Sequence, residues 1–149
     1  MDDIEAIKRL KARYCRLMDT KEWDSYRQLF TDDVTVDLEL AGEAVPGQDQ
    51  ESTEAGGAVI AGADSFLAML VPTLGEAVTV HQCHTPEIDL LSPTTAKGVW
   101  AMEDLLRFPD GTELHGFGHY HETYEKQGGG WLIKSTRLTR LRTDVVPGL

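Results

Sequence analysis

The sequence predicts an α+β domain in which helices come first and a curled sheet follows. Three observations carry that prediction. Apolar residues recur at helical spacing over residues 3–18, four long alternating segments fill the second half, and tight-turn residues punctuate those segments. The chain has 149 residues, which suits one domain, 1–149, and is enough to bury a core without disulfide or metal staples.

In chain order, Ile4, Ile7, Leu10, Tyr14, Leu17 and Met18 define one face of a first helix, with Lys8, Arg9, Lys11 and Arg16 filling much of the rest. Asp2 or Asp3 is placed to cap it. A second helix is expected from Trp23 to Phe30, ended by a turn at Thr31-Asp32-Asp33. Val34 to Leu40 then alternates as a strand, with Asp37 and Glu39 on its polar side. Residues 41–59 are rich in Gly, Glu and small polar residues and read as an exposed loop. A third helix spans Gly62 to Leu70, with Pro72 as its limit. The strands are expected over Ala77–Leu91, Thr94–Phe108, Thr112–Lys126 and Trp131–Thr143, joined by turns such as Pro109-Asp110-Gly111 and Gly128-Gly129-Gly130. A sheet that buries one face on helices must curl around them, which leaves a cavity at its mouth.

The acidic residues number 25 against 14 Lys plus Arg, for a net charge of -11. The excess is local: residues 28–96 hold 12 acids and no Lys or Arg. This argues against nucleic acid or an anionic membrane as partner, and at a pocket mouth it disfavours strongly anionic ligands. The start MDDIEAIKRL lacks the pattern of a signal peptide, and no apolar run suits a membrane span, so the cytoplasm is the expected location. Cys15 and Cys83 can make one disulfide but are no disulfide scaffold.

Four groups of residues resemble the NTF2-like superfamily, and within it the SnoaL-like branch that includes scytalone dehydratase, lindane dehydrochlorinase and bile-acid 7α-dehydratase. They are Tyr14 and Asp19 followed by Trp23, Tyr26 and Leu29 to Asp33; Thr79-Val80-His81 with Pro86-Glu87-Ile88; Gly118-His119-Tyr120-His121 with Tyr124-Glu125; and Gly130 to Lys134. The resemblance spans almost the whole chain and implies a cone-shaped, curved antiparallel sheet on N-terminal helices, the cystatin-like cone. The fold hosts dehydratases, isomerases, cyclases and domains without chemistry, so activity has to be argued from the site.

The resemblance implies Asp19 orienting His81 as a general base, the pair with which the dehydratase and dehydrochlorinase relatives take a proton from carbon as a leaving group departs. A histidine suits this because its reference pKa is about 6.5. By the same resemblance Tyr14 places a phenol in the pocket as a hydrogen-bond donor, unless it is only a core aromatic. Asp104 is the counterpart of a second carboxylate on a central strand; an acid beside Trp100 and Met102 must lie near the strand end or pair with a histidine.

Alternation puts His115, Phe117, His119 and His121 on one side of a strand. If that side faces the cavity, His119 becomes an auxiliary acid, and Phe117 and His121 become wall. No HExxH or paired-cysteine motif supports a metal, and neither metal nor cofactor is expected. Trp23, Phe66, Leu70, Trp100 and Met102 are the expected apolar wall. Cys83 shares the phase of His81 and joins them, without a nucleophile's role. His84 is out of phase and should face outward. Arg137, Arg140 and Arg142 read as a solvated strand face.

Three readings follow. The first is a cofactor-independent lyase, such as a dehydratase, or an isomerase, acting on a small cyclic, neutral or apolar molecule. The second is a polyketide cyclase or steroid-type isomerase with Asp104 or Asp19 as base. The third is a non-catalytic ligand-binding or assembly domain, which predicts that Asp19 and His81 do not touch. Strands with both faces occupied suggest a homodimer or homotrimer through the outer sheet face.

Overall fold

A computed structural model describes residues 1–39 and 57–149. Helix α1 spans Asp3–Asp19, with the Asp2 carboxylate accepting the Glu5 N–H at 2.8 Å as its N-cap. Its buried face is Ile7, Leu10, Lys11, Tyr14, Leu17 and Met18. Two positions differ from the apolar count: Ile4 is exposed and Lys11 is fully buried.

Helix α2 is short, Trp23–Arg27, because Phe30 already begins strand β1, Phe30–Glu39. The turn expected at Thr31 to Asp33 is thus strand, irregular in register before Thr35. Strand β2, Gly57–Ala61, pairs with β1 and occupies the end of the segment read as a loop. The rest of that segment, residues 41–56, and Leu40 lie outside the described residues. Helix α3 runs Ala63–Leu74 and carries Pro72 inside it. Proline cannot donate a backbone hydrogen bond, but burial of Leu70 and Leu74 draws the helix one turn further, and Thr73 Oγ1 donates to the Met69 carbonyl at 2.8 Å.

Strands β3 (Val78–Ser92), β4 (Thr95–Arg107), β5 (Glu113–Gln127) and β6 (Gly130–Val146) form the expected meander. The six strands lie in the order β2-β1-β6-β5-β4-β3. All pairs are antiparallel except β1 with β6, which is parallel, so the curved, unclosed sheet is mixed and not wholly antiparallel. Parallel pairing is open to these two strands because the whole chain between them serves as the crossover.

The helices cover the inner face. An aromatic cluster of Tyr14, Tyr26, Phe30, Phe66 and Tyr120 joins α1, α2, α3 and the sheet at centroid spacings of 5.1 to 6.3 Å. Beside it Lys11 Nζ donates to Glu122 Oε2 at 2.8 Å, with both side chains inaccessible to solvent. The ammonium also lies 3.6 Å from the ring centroids of both Tyr14 and Tyr120. Glu122 accepts two further bonds, from Thr136 Oγ1 at 2.7 Å and from Tyr124 Oη at 2.8 Å. Tyr124 in turn accepts from Trp100 Nε1 at 2.9 Å. The charge pair is therefore fully solvated by protein groups, the condition under which a buried pair is tolerated.

Removing one partner strands the other charge. Lys11→Ala is expected to lower unfolding stability by about 3–5 kcal/mol, read by urea denaturation. A Lys11→Met, Glu122→Met double variant should lose less than the sum of its single variants, since the stranded charge is counted in each single and absent from the double.

Candidate functional site

The end of α1 builds the first half of the site. Glu22 N–H bonds the Leu17 carbonyl at 2.9 Å and Lys21 N–H bonds the Met18 carbonyl at 3.1 Å. This is a Schellman closure, whose turn residue adopts the left-handed conformation and is usually glycine. Here it is Lys21, with φ 60. A side chain in that conformation costs about 1 kcal/mol, and the structure shows what Lys21 contributes: its Nζ donates to Thr79 Oγ1 at 2.7 Å.

The closure fixes Asp19 as the last helical residue, facing β3. Inward-facing residues of that strand alternate as Thr79, His81 and Cys83. Asp19 Oδ1 accepts from Thr79 Oγ1 at 2.9 Å and lies 2.7 Å from His81 Nδ1. Its Oδ2 accepts the His81 backbone N–H at 2.7 Å. The carboxylate thus holds the ring and the main chain of His81 at once. A carboxylate at Nδ1 fixes the tautomer that carries its proton there, which makes Nε2 the nitrogen able to accept one.

A second charged pair stands beside the first. Asp104 is opposite His81 on β4 and faces inward. Its partner is neither solvent at a strand end nor a histidine: Arg140 from β6 donates to Oδ1 at 3.1 Å and to Oδ2 at 3.0 Å. Both side chains are almost wholly buried, so Arg140 does not belong to a solvated strand face. Glycine makes the pair possible. Gly116 lies between them on β5, and a Cβ there would overlap both Arg140 Nη1 and Asp104 Oδ1.

Tyr14, Phe66, Leu70, His81 and Asp104, named from the sequence, line one cavity together with Met18, Met69, Tyr120, Leu138 and Arg140. Its volume is about 70 Å³. Burial pushes the Tyr14 phenol well above its usual range, so it stays protonated and able to donate.

The other expected wall residues lie elsewhere. Phe117, His119 and His121 occupy the outer phase of β5, and Gly116, Gly118, Tyr120 and Glu122 the inner one. His115 meets Glu103 at 3.3 Å and His121 meets Thr139 at 3.0 Å, both on that outer face. His119 is therefore no acid of this cavity. Trp100 is sealed in the core by its bond to Tyr124, and Met102 is buried away from the cavity. Trp23 packs edge-on to Tyr26, and Cys83 meets Cys15. His84 faces outward near Glu103. Among the described residues no group of His, Cys, Asp and Glu is arranged to hold a metal, and no helix is long and apolar enough to cross a membrane.

Gly116→Ala provides a direct test of this geometry. It should separate Asp104 from Arg140 and lower stability by about 2–4 kcal/mol, measured by chemical denaturation. Gly128→Ala in the β5–β6 turn, where a Cβ meets open space, should cost only the strain of its positive φ.

Comparison with known proteins places the chain in a family. Residues 1–137 match the family model described as a SnoaL-like domain. Probable cyclase FGR4 of Gibberella zeae is 27% identical over 143 residues, covering 91% of this chain and 89% of that protein. Among solved structures, a scytalone dehydratase-like protein of Novosphingobium aromaticivorans aligns with a TM-score of 0.73 at 23% identity, over 95% of this chain and 86% of that one. The hexachlorocyclohexane dehydrochlorinase LinA-type3 of Novosphingobium barchaimii aligns with a TM-score of 0.75 at 14% identity, over 97% and 90%. The family match covers the helices and the sheet through the first half of β6, and the chain belongs to the SnoaL-like domain family.

Proposed function

We propose that the protein is a cofactor-independent lyase or isomerase that removes a proton from carbon in a small, cyclic, mostly apolar molecule. The observation that carries this reading is the 2.7 Å contact of Asp19 with His81 Nδ1, at the wall of an otherwise largely apolar cavity. In the dehydratase form, His81 Nε2 accepts the proton and the C–H electron pair forms the double bond. The C–O bond then breaks towards oxygen, and the imidazolium returns its proton to the departing hydroxide as water. Asp19 stabilises the imidazolium while it lasts. Without a leaving group, the same proton returns to a second carbon and the reaction is an isomerisation. The Tyr14 phenol and Arg140 are the donors on hand for a developing oxyanion.

Asp104 serves this reading better as a partner of Arg140 than as a base, because the guanidinium engages both of its oxygens. Their charges also cancel, which suits a neutral ligand. Contact between Asp19 and His81 runs against the purely binding alternative. A cyclase remains a second reading, favoured by the relative named as one. The cavity, at about 70 Å³, is smaller than the ~150 Å³ apolar cavity that admits benzene. A ring must therefore displace side chains, and Met18 and Met69 are the flexible ones in the wall. Val78, Val80 and Leu105 are exposed on the outer sheet face, which supports association of copies through it.

The test uses one-ring and two-ring β-hydroxyketones in D₂O, followed by proton NMR. Wild-type protein is expected to exchange the proton next to the carbonyl and release water. His81→Ala should be slower by about 10²–10⁴-fold, and Asp19→Asn should also lose rate while both variants retain ligand-induced thermal shifts. Equal rates in wild type and His81→Ala would contradict the proposal.

A further inference from the structure

Cys15 and Cys83 take no part in the chemistry above, yet their sulfurs lie 3.5 Å apart. They are 68 residues apart in sequence, one on α1 and one on β3, and neither is sealed from solvent. A disulfide has an S–S distance of about 2.05 Å. The sulfurs therefore need to close by only about 1.5 Å, within reach of side-chain rotation. Two thiols held this way by separate elements, with access for a small oxidant, are a preformed dithiol.

We propose that Cys15 and Cys83 form an oxidisable pair that a hydroperoxide converts to an intramolecular disulfide, tying α1 to β3 beside Asp19 and His81. Either sulfur can attack first, because either can donate the hydrogen bond between them. The nearby Lys11 ammonium favours a thiolate at both. The thiolate of one cysteine attacks one peroxide oxygen, the O–O bond breaks, and the other oxygen leaves as an alcohol or water after taking a proton. That cysteine is then a sulfenic acid. The second sulfur attacks it, the S–O bond breaks, and water leaves with the second thiol's proton. Two thiols lose two electrons and the peroxide gains them. The bridge lies one helical turn before Asp19 and two residues after His81, so it fastens the two elements that carry the pair. The inference stands whether or not His81 is a base.

The test treats the reduced, folded full chain with hydrogen peroxide and reads intact mass, free thiols and a peptide map. The expected result is a loss of about 2 Da, disappearance of both thiols, a Cys15–Cys83 cross-linked peptide, reversal by dithiothreitol and a melting temperature raised by several degrees. Cys15→Ala and Cys83→Ala should each stop at the sulfenic acid, with a gain of about 16 Da that dimedone traps, and neither should form the cross-link. Surviving thiols, an intermolecular disulfide, or mass gains without the cross-linked peptide in wild type would overturn the proposal, with no need for the variants.

Discussion

Asp19 accepts three hydrogen bonds from one strand, and the arrangement of the pocket follows from them. Helix α1 is amphipathic and packs by burial of its apolar face, but burial alone is non-directional. The carboxylate supplies direction. By binding the main chain and the ring of His81 together, it fixes where α1 ends relative to β3. The Schellman closure and the Lys21 contact with Thr79 hold that end from the other side. Tyr14, about 1.4 turns earlier, is then carried to the cavity wall.

The inner face of the sheet bears an unusual load of charge for a core: Glu122 with Lys11, and Asp104 with Arg140. Each pair is held by hydrogen bonds, the first beside the rings of Tyr14 and Tyr120 and the second over Gly116. Gly116 leaves the space that Arg140 fills. Replacing such pairs by apolar residues is often neutral or stabilising in proteins generally. The pair that touches the cavity therefore reads as a fixture of the site more than of the fold.

Much of this was legible in the sequence. The face of α1, the four long strands and the approach of Asp19 to His81 follow from periodicity and from the resembled motifs. The misreadings have physical causes. On β5 the inner phase runs Leu114, Gly116, Gly118, and the two glycines carry no apolar signal because the Arg140 side chain takes the space at Gly116 and the β6 backbone takes it at Gly118; the aromatic phase with Phe117 therefore looked like the inside. Lys11 and Arg140 looked solvated because their partners, Glu122 and Asp104, are 111 and 36 residues away. Pro72 looked like a helix end because propensity ignores the burial of Leu74. The contact of Cys15 with Cys83 depends on the docking of α1, which no local pattern reveals.

The central claim is that Asp19 holds His81 with the proton on Nδ1 and leaves Nε2 to accept one. Nitrogen-15 NMR of the ring reports this directly. In the neutral ring of His81 the account predicts a protonated Nδ1 and a bare Nε2, with the preference lost in Asp19→Asn. A neutral ring protonated on Nε2 in the wild-type protein, or a spectrum unchanged by Asp19→Asn, would contradict it.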